Sequence, residues 1–179
     1  MSKVLILSAS PRRKGNSSQL CDEFLRGAQE AGHEVEKMIV SHRQIAGCMG
    51  CNACMRNGGS CIQKDEMREI RDKMLAADVI VLASPVYFYS MDAQMKTIID
   101  RCYAFYQRME GKTFYYILTM AAANIKNADT AIAGLRGFTR CVPDSKEGGY
   151  VVATNAWDTG AVQDSPALSE AYELGKSVQ

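Results

Sequence analysis

The 179-residue chain lacks long apolar runs, linker tracts and an excess of charge of either sign. Its apolar runs stop well short of the roughly 18 residues that a membrane span needs, and charged residues interrupt the amino terminus before a signal-peptide pattern can form. Lysine and arginine number 21 against 20 acidic residues, so no net field favours nucleic acid or an anionic membrane as a partner. We therefore expect a cytoplasmic protein with a single domain over residues 1–179.

Common phosphate-binding motifs are missing as well. Neither Gly-x4-Gly-Lys-Ser/Thr nor Gly-x-Gly-x-x-Gly occurs, which disfavours a nucleoside triphosphate and a Rossmann-bound dinucleotide. No cysteine lies between Met1 and Leu20, so the Cys-x5-Arg loop of a phosphotyrosine phosphatase is absent. The segment from Ser8 to Arg13 also lacks the acidic pair of a response regulator.

Five apolar runs alternate with helical patterns along the chain. Strands are predicted at residues 4–7, 35–40, 78–84, 114–120 and 149–154. Pro85 is expected to end the third strand and to open an aromatic loop at 86–91, which leads into one long helix reaching Tyr106. This alternation predicts an α/β protein with a doubly wound parallel sheet and helices on both faces.

The stretch from Leu7 to Ser18 joins the first strand to the first helix through a loop suited to an anion. It offers several serine hydroxyls, three consecutive basic residues at 12–14, and Gly15, which lets the backbone turn closely around a ligand. Asn16 or Ser17 is expected to cap the helix, whose first amides and dipole favour a phosphate. Taken alone, the loop also fits an ordinary serine-rich turn.

Ligands of doubly wound sheets bind beyond the carboxyl ends of the strands, at the switch in winding direction. That rule brings the loops at 8–18, 85–91 and 120–124 around one crevice. A phosphate loop would then face an aromatic loop, which favours a ligand with a phosphate at one end and a flat ring at the other. FMN has that shape, although packing in a core or a subunit interface is the alternative for Tyr87, Phe88 and Tyr89.

Three segments resemble the NADPH-dependent FMN reductase family of flavodoxin-like proteins: Ser-Pro-Arg-x-x-Gly-Asn-Ser at 10–17, Ser-Pro-Val-Tyr-Phe at 84–88 and Ala-Tyr-Glu-Leu-Gly at 171–175. The resemblance covers essentially the whole chain and implies a flavodoxin-like fold with strand order 2-1-3-4-5, bound FMN, NAD(P)H as co-substrate, and a homodimer or homotetramer. The positions it marks as FMN contacts are Ser10, Arg12, Asn16, Ser17 and Ser18 for the phosphate, Pro85, Val86, Tyr87, Phe88, Ser90 and Met91 beside the ring, and Thr119, Ala121 and Ala122 on the next strand.

Four of the seven cysteines fall in one loop at 47–62, which argues for thiol, metal or cluster chemistry rather than a secreted disulfide framework. Their spacing is Cys48-x2-Cys51-x2-Cys54-x6-Cys61, and the loop is similar to that of the iron-sulfur flavoprotein branch of the same family. A [4Fe-4S] cluster, a zinc ion and unliganded thiols are all compatible with these four residues.

These features predict an FMN-dependent oxidoreductase that passes electrons by a ping-pong scheme from NAD(P)H to a quinone, a nitro- or azo-aromatic, a flavin or a protein acceptor. No acid-base pair is assigned as catalytic, because the cofactor carries the chemistry. One alternative is an iron-sulfur flavoprotein that carries electrons to or from ferredoxin. A second is a non-enzymatic interaction module stapled by zinc.

Overall fold

A parallel β-sheet forms the centre of the molecule in the computed structural model, which describes all 179 residues. The strands are β1 (Lys3–Ser8), β2 (Glu34–Ile39), β3 (Val79–Tyr87), β4 (Ser90–Met91), β5 (Thr113–Thr119) and β6 (Lys146–Ala153). The main path is β2-β1-β3-β5-β6 and every pairing along it is parallel, whereas the two-residue β4 pairs antiparallel with the end of β3. Counted without β4, this is the predicted 2-1-3-4-5 order, and the flavodoxin-like architecture is confirmed.

Helices cover both faces of this sheet. They are α1 (Asn16–Glu30), α2 (Ala53–Arg56), α3 (Met67–Ala76), α4 (Ala93–Arg101), α5 (Asp129–Thr139) and α6 (Ala167–Lys176), with short 3-10 turns at Cys102–Ala104, Tyr106–Met109 and Ile125–Ala128. No helix is long and apolar enough to cross a membrane.

Alternation along the strands divides the buried apolar side chains into two cores. In β3, Ile80 and Leu82 belong to the core under α3, α4 and α5, whereas Val79 and Val81 belong to the core under α1 and α6. Successive side chains of a strand point to opposite faces, so a continuous apolar run supplies both cores at once. The prediction of strands buried on both faces is therefore confirmed for the centre of the sheet.

Pro85 does not end β3, contrary to the prediction from the sequence. The last β1 residue paired with β3 is Ser8, opposite Ala83, while β3 continues beside β5 as far as the pair Pro85 and Thr119. Pro85 thus lies beyond the end of β1, where β3 has one neighbour fewer and a missing N–H can be tolerated. The strand continues through Tyr87, then turns back as β4, so the expected aromatic loop is a hairpin.

The helix after this hairpin is shorter than predicted. It ends at Arg101, and two 3-10 turns carry the chain on, with Phe105 at φ −147° between them. Cys102, Phe105 and Met109 are nevertheless buried. Spacings of three and four residues fit a 3-10 turn as well as an α-helix, so the pattern alone does not fix where the α-helix ends.

Helices α1 and α6 pack with their backbones in direct contact, and two glycines make this possible. A Cβ atom on Gly27 would lie 2.1 Å from the carbonyl oxygen of Tyr172, and one on Gly175 would lie 2.1 Å from the carbonyl oxygen of Phe24. Real Cβ contacts are not that short, and a backbone carbonyl cannot rotate away as a side chain can. The position of α1, whose first residues belong to the site described below, therefore depends on these two glycines.

We expect Gly175→Ala to lower the free energy of unfolding by roughly 1–3 kcal/mol or more, because the methyl group forces two packed helices apart. Gly137→Ala is the matched control, since Gly137 is an exposed residue of α5 with no atom within 4 Å of an added Cβ. It should be neutral or stabilise by up to about 1 kcal/mol, because alanine favours a helix over glycine. Urea unfolding of both variants measures the difference, and equal stabilities would contradict the close contact of α1 with α6.

Candidate functional site

A cleft of about 590 Å³ opens at the carboxyl ends of β1, β3 and β5. In doubly wound sheets this edge is the usual ligand position, because strand ends and helix amino termini converge there. Its walls come from the loop after β1, the β3–β4 hairpin and the segments after β5 and β6. The lining residues are Ser10, Arg12, Gly15, Asn16, Ser17, Pro85, Val86, Tyr87, Phe88, Met91, Asp92, Ala93, Thr119, Met120, Ala121, Ala156 and Trp157.

One end of the cleft is a cradle of main-chain donors at the start of α1. The N–H groups of Asn16 and Ser17 have no hydrogen-bond acceptor in the structure, although both residues are buried. Buried N–H groups are nearly always paired, and the first amides of a helix attract an anion. A Cβ on Gly15 would meet the carbonyl oxygen of Arg12 at 3.0 Å, so the turn before the helix favours glycine. This end of the cleft is therefore suited to a phosphate.

Asn16 does not cap α1, contrary to the prediction. Gly15 is the residue at the capping position and no side chain accepts from the first amides. The Asn16 amide instead donates to the carbonyl oxygens of Ala156 (3.1 Å) and Asp158 (2.8 Å) and accepts from the N–H of Gly160 (2.9 Å). These three bonds, made with a buried side chain, fix the loop after β6 against the phosphate cradle. The side chain is engaged across the cleft, which leaves the helix amides open.

Further polar groups complete the cradle. Ser17 and Thr119 share a buried hydrogen bond of 2.7 Å between their hydroxyls, which ties the start of α1 to the end of β5. Arg12 is exposed and donates to the carbonyl oxygen of Trp157 at 3.2 Å. It is the single cationic side chain of the lining, and no acidic residue lies in the sequence between positions 7 and 18. The local charge at this end is positive.

The other end of the cleft is the aromatic hairpin of β3 and β4. Val86 pairs with Met91 and Tyr87 with Ser90, which leaves Phe88 and Tyr89 as a two-residue turn. Both turn residues have positive φ, at 47° and 63°, as a type I′ turn requires. Bulky residues are rare in that region, so the turn is strained, and Phe88 is fully exposed.

Ser84 and Asp92 hold the base of this hairpin. The Asp92 N–H donates to the Ser84 hydroxyl at 2.9 Å. The single hydrogen of the Ser84 hydroxyl is shared between Asp92 Oδ1 at 3.2 Å and the carbonyl oxygen of Pro85 at 2.8 Å. Asp92 Oδ1 also accepts from the N–H of Met95 at 2.9 Å. Asp92 is thereby the N-cap of α4. Burial raises the pKa of its carboxyl to about 6, while the hydrogen bonds from Met95 and Ser84 act in the opposite direction.

Most residues that the sequence marked as FMN contacts line this one cleft. The exceptions are Ser18, Ser90 and Ala122, which do not belong to the lining. Ser18 Oγ faces β2, where it accepts from the ammonium group of Lys37 at 2.7 Å. The assignment of all these residues to FMN stays a prediction.

Four further lining residues lie outside the loops that the sequence assigned to the site: Asp92, Ala93, Ala156 and Trp157. Asp92 and Ala93 belong to the start of α4, which follows directly after the predicted loop and would have been found by extending it two residues. Ala156 and Trp157 lie on the loop that Asn16 holds. No local motif marks that loop, so only the three-dimensional contacts bring it to the cleft.

The cysteine loop lies apart from the cleft lining and is anchored at both ends to α4. The buried Arg101 guanidinium donates to Asp65 at 2.6 and 3.0 Å and to the carbonyl oxygen of Ala46 at 2.7 Å. Burial disfavours the Arg101 charge, but Asp65 and, to a smaller extent, Cys61 raise its pKa overall. The Asp65 pKa is lowered in spite of its own partial burial, because Arg101 and two N–H groups bond its carboxylate.

The four thiols of that loop do not form a coordination sphere. Cys48 and Cys51 are exposed, Cys54 is buried and Cys61 is half-buried, and no group of three or more His, Cys, Asp or Glu side chains is arranged to hold a metal ion. Four thiols are nevertheless a suitable donor set for an iron-sulfur cluster. Cys21 lies in the core, where burial raises the pKa of its thiol to about 12, as expected of an inert residue.

The fold and the cleft define a flavodoxin-like α/β protein with an anion cradle facing an aromatic hairpin. A model of the NADPH-dependent FMN reductase family matches residues 2–142. The chain belongs to that family.

Individual relatives agree with this assignment. The chain is 41% identical over 99 residues to an iron-sulfur flavoprotein of Archaeoglobus fulgidus, covering 55% of this chain and 44% of that protein. An iron-sulfur flavoprotein of Methanocaldococcus jannaschii is also 41% identical over 99 residues, with 51% of its length covered. The chain thus spans about half the length of these curated relatives. The NAD(P)H:quinone oxidoreductase of Methanothermobacter marburgensis has a similar fold, with a TM-score of 0.76 at 16% identity over 98% of this chain and 94% of that one.

Proposed function

We propose that the cleft binds FMN and that the protein is an oxidoreductase that uses NAD(P)H as its electron donor. The observation that carries this proposal is the pairing, within one cleft, of unpaired helix amides at one end with an apolar and aromatic wall at the other. Membership of the NADPH-dependent FMN reductase family supports the same ligand.

The phosphate end would be held by groups that are already in position. The N–H groups of Asn16 and Ser17, the hydroxyl of Ser10 and the guanidinium of Arg12 all border the cradle. Hydrogen bonds in which one partner is ionised are roughly twice as strong as neutral ones, so a phosphate dianion gains most from such donors. A neutral ligand would leave the two helix amides poorly satisfied.

The ring end would be held by apolar contact and backbone shape. Pro85, Val86 and Met91 supply an apolar surface, and the half-exposed Tyr87 also lines this end. When bound there, FMN supplies the hydride-accepting centre that the chain itself lacks. The protein groups orient the ring and exclude water from its inner face.

The open outer side leaves room for a second flat molecule, which is how a nicotinamide can reach a bound flavin without a separate dinucleotide domain. The electron acceptor, whether a quinone, a nitro- or azo-aromatic, a flavin or a redox protein, stays a prediction. Assembly into a homodimer or homotetramer stays one as well.

We expect Arg12→Ala to weaken FMN binding roughly tenfold or more, because it removes a charge-assisted hydrogen bond to the phosphate. Arg13→Ala is the matched control: it removes an equal charge from the adjacent position, but Arg13 does not line the cleft. Flavin fluorescence titration of the apoprotein measures both affinities. Equal losses in the two variants would mean that Arg12 acts only through the general field of the loop, and no FMN binding by the unsubstituted protein would refute the proposal.

The donor is tested by adding NADH or NADPH to the FMN-loaded protein under nitrogen. We expect the absorbance of the oxidised flavin to bleach, and aerobic exposure to restore it. Reduction by ferredoxin but by neither pyridine nucleotide would instead favour the electron-carrier alternative. A colourless protein with one zinc per chain would favour the interaction module.

We further propose that the loop at 47–62 binds a [4Fe-4S] cluster through its four cysteines. The four-thiol spacing and the names of the relatives in Archaeoglobus fulgidus and Methanocaldococcus jannaschii support this. Positive φ at Gly50, Asn52, Gly58 and Gly59 shows a loop rich in tight turns, and no step of the proposed reaction depends on the cluster.

Anaerobic reconstitution with iron and sulfide tests the cluster. We expect about four irons and four acid-labile sulfides per chain with broad visible absorbance, and loss of both in Cys54→Ser. Cys141→Ser is the control, because Cys141 is an exposed cysteine outside the loop. No incorporation into the unsubstituted protein, or equal loss in both variants, would count against a cluster at these four residues.

A further inference from the structure

Asp92 is the single acidic side chain in the lining of the cleft, and one of its oxygens has no partner. Only 1% of the residue is exposed, yet Oδ2 makes no hydrogen bond, whereas Oδ1 accepts from Met95 and Ser84. A buried carboxylate oxygen without a partner is costly, and each such case needs an explanation.

Capping of α4 does not explain this oxygen. One acceptor atom is enough for an N-cap, and serine, threonine or asparagine provides it without a buried charge. Oδ1 already performs the capping, so the second oxygen adds a cost that the helix does not require. Asp92 also lines the cleft, and a role there would account for the second oxygen.

We propose that the Asp92 carboxyl is the proton-holding group of the cleft: it is ionised while the bound flavin is oxidised, and it takes up a proton at Oδ2 when the flavin is reduced. This inference rests on the proposed function. Transfer of a hydride from NAD(P)H leaves NAD(P)⁺ and adds one negative charge to the flavin, and the proton taken from solvent by Asp92 neutralises that charge. On oxidation by a quinone, the hydride equivalent and this proton together give the hydroquinone.

The surroundings of Asp92 make such a change in protonation feasible. Burial raises the pKa of Asp92 to about 6, and no charged neighbour contributes to that shift. Ser84 from β3 and the Met95 N–H from α4 bond it, α5 contributes no residue to the cleft lining, and Arg12 belongs to the phosphate end. An added negative charge in the same cleft raises the pKa further, because like charges disfavour the ionised form.

The reduction potential of bound FMN as a function of pH tests the proposal. The variant is Asp92→Asn, which keeps the shape and the Oδ1 acceptor but cannot titrate. We expect equal potentials in the two proteins near pH 5, where Asp92 is already protonated in both flavin states. Above about pH 6 the reduction potential of the unsubstituted protein should decrease more steeply with pH than that of the variant, because its reduction takes up one additional proton. The additional slope corresponds to a tenfold change in the reduction equilibrium per pH unit, or about 30 mV for a two-electron couple.

Asp92→Ser provides a second variant that retains a good N-cap and removes Oδ2 altogether. It should lack the additional proton uptake in the same way as Asp92→Asn, and either variant suffices if the other does not fold. Parallel curves for the unsubstituted protein and the folded variants would overturn the role of Asp92 while leaving FMN binding intact. Failure of the unsubstituted protein to bind FMN would instead remove the proposed function and this inference together.

Discussion

Two buried main-chain donors without acceptors, at the start of α1, determine what the cleft can hold. A helix usually satisfies its first N–H groups with a side-chain cap, but Gly15 has no side chain to offer. Asn16 could serve, yet its amide is bonded to the loop after β6. The helix therefore begins with its donors facing a cavity rather than facing its own chain. Only an external acceptor, and best of all an anion, can satisfy them.

Every other part of the site depends on keeping those donors in place. Gly27 and Gly175 let α6 approach α1 closely enough for backbone contact, and the Ser17–Thr119 hydrogen bond joins α1 to β5. The hydrogen bonds of the Asn16 side chain then join the start of α1 to the segment that contains Trp157. A small number of short contacts, spread over distant parts of the sequence, thus hold the phosphate end rigid, while the strained turn at the other end stays exposed.

The sequence predicts the sheet well because continuous apolar runs in a parallel sheet are buried on both faces, and this leaves little ambiguity about which residues are strands. The loops after β1 and β3 could likewise be assigned to one edge from topology alone. The route of the chain beyond Pro85 could not be predicted from the sequence. It depends on the fact that β1 ends before it reaches Pro85, which is a property of the folded sheet. Asn16 shows the same limit: its type and position fit a helix cap, and only a loop about 140 residues away in sequence reveals its other use.

The cleft is electrostatically asymmetric, and this asymmetry fixes the direction in which a ligand can bind. Arg12 and the free amides of α1 make one end positive, whereas Asp92 places the single carboxyl of the lining at the other. A molecule with one anionic end gains hydrogen bonds in one orientation and meets a buried carboxylate in the reverse orientation. The second orientation would require Asp92 to be protonated, and because burial raises the pKa of its carboxyl only to about 6, that protonation costs free energy near neutral pH. The same residue that leaves one oxygen unpaired therefore disfavours the reverse orientation of a ligand with one anionic end near neutral pH.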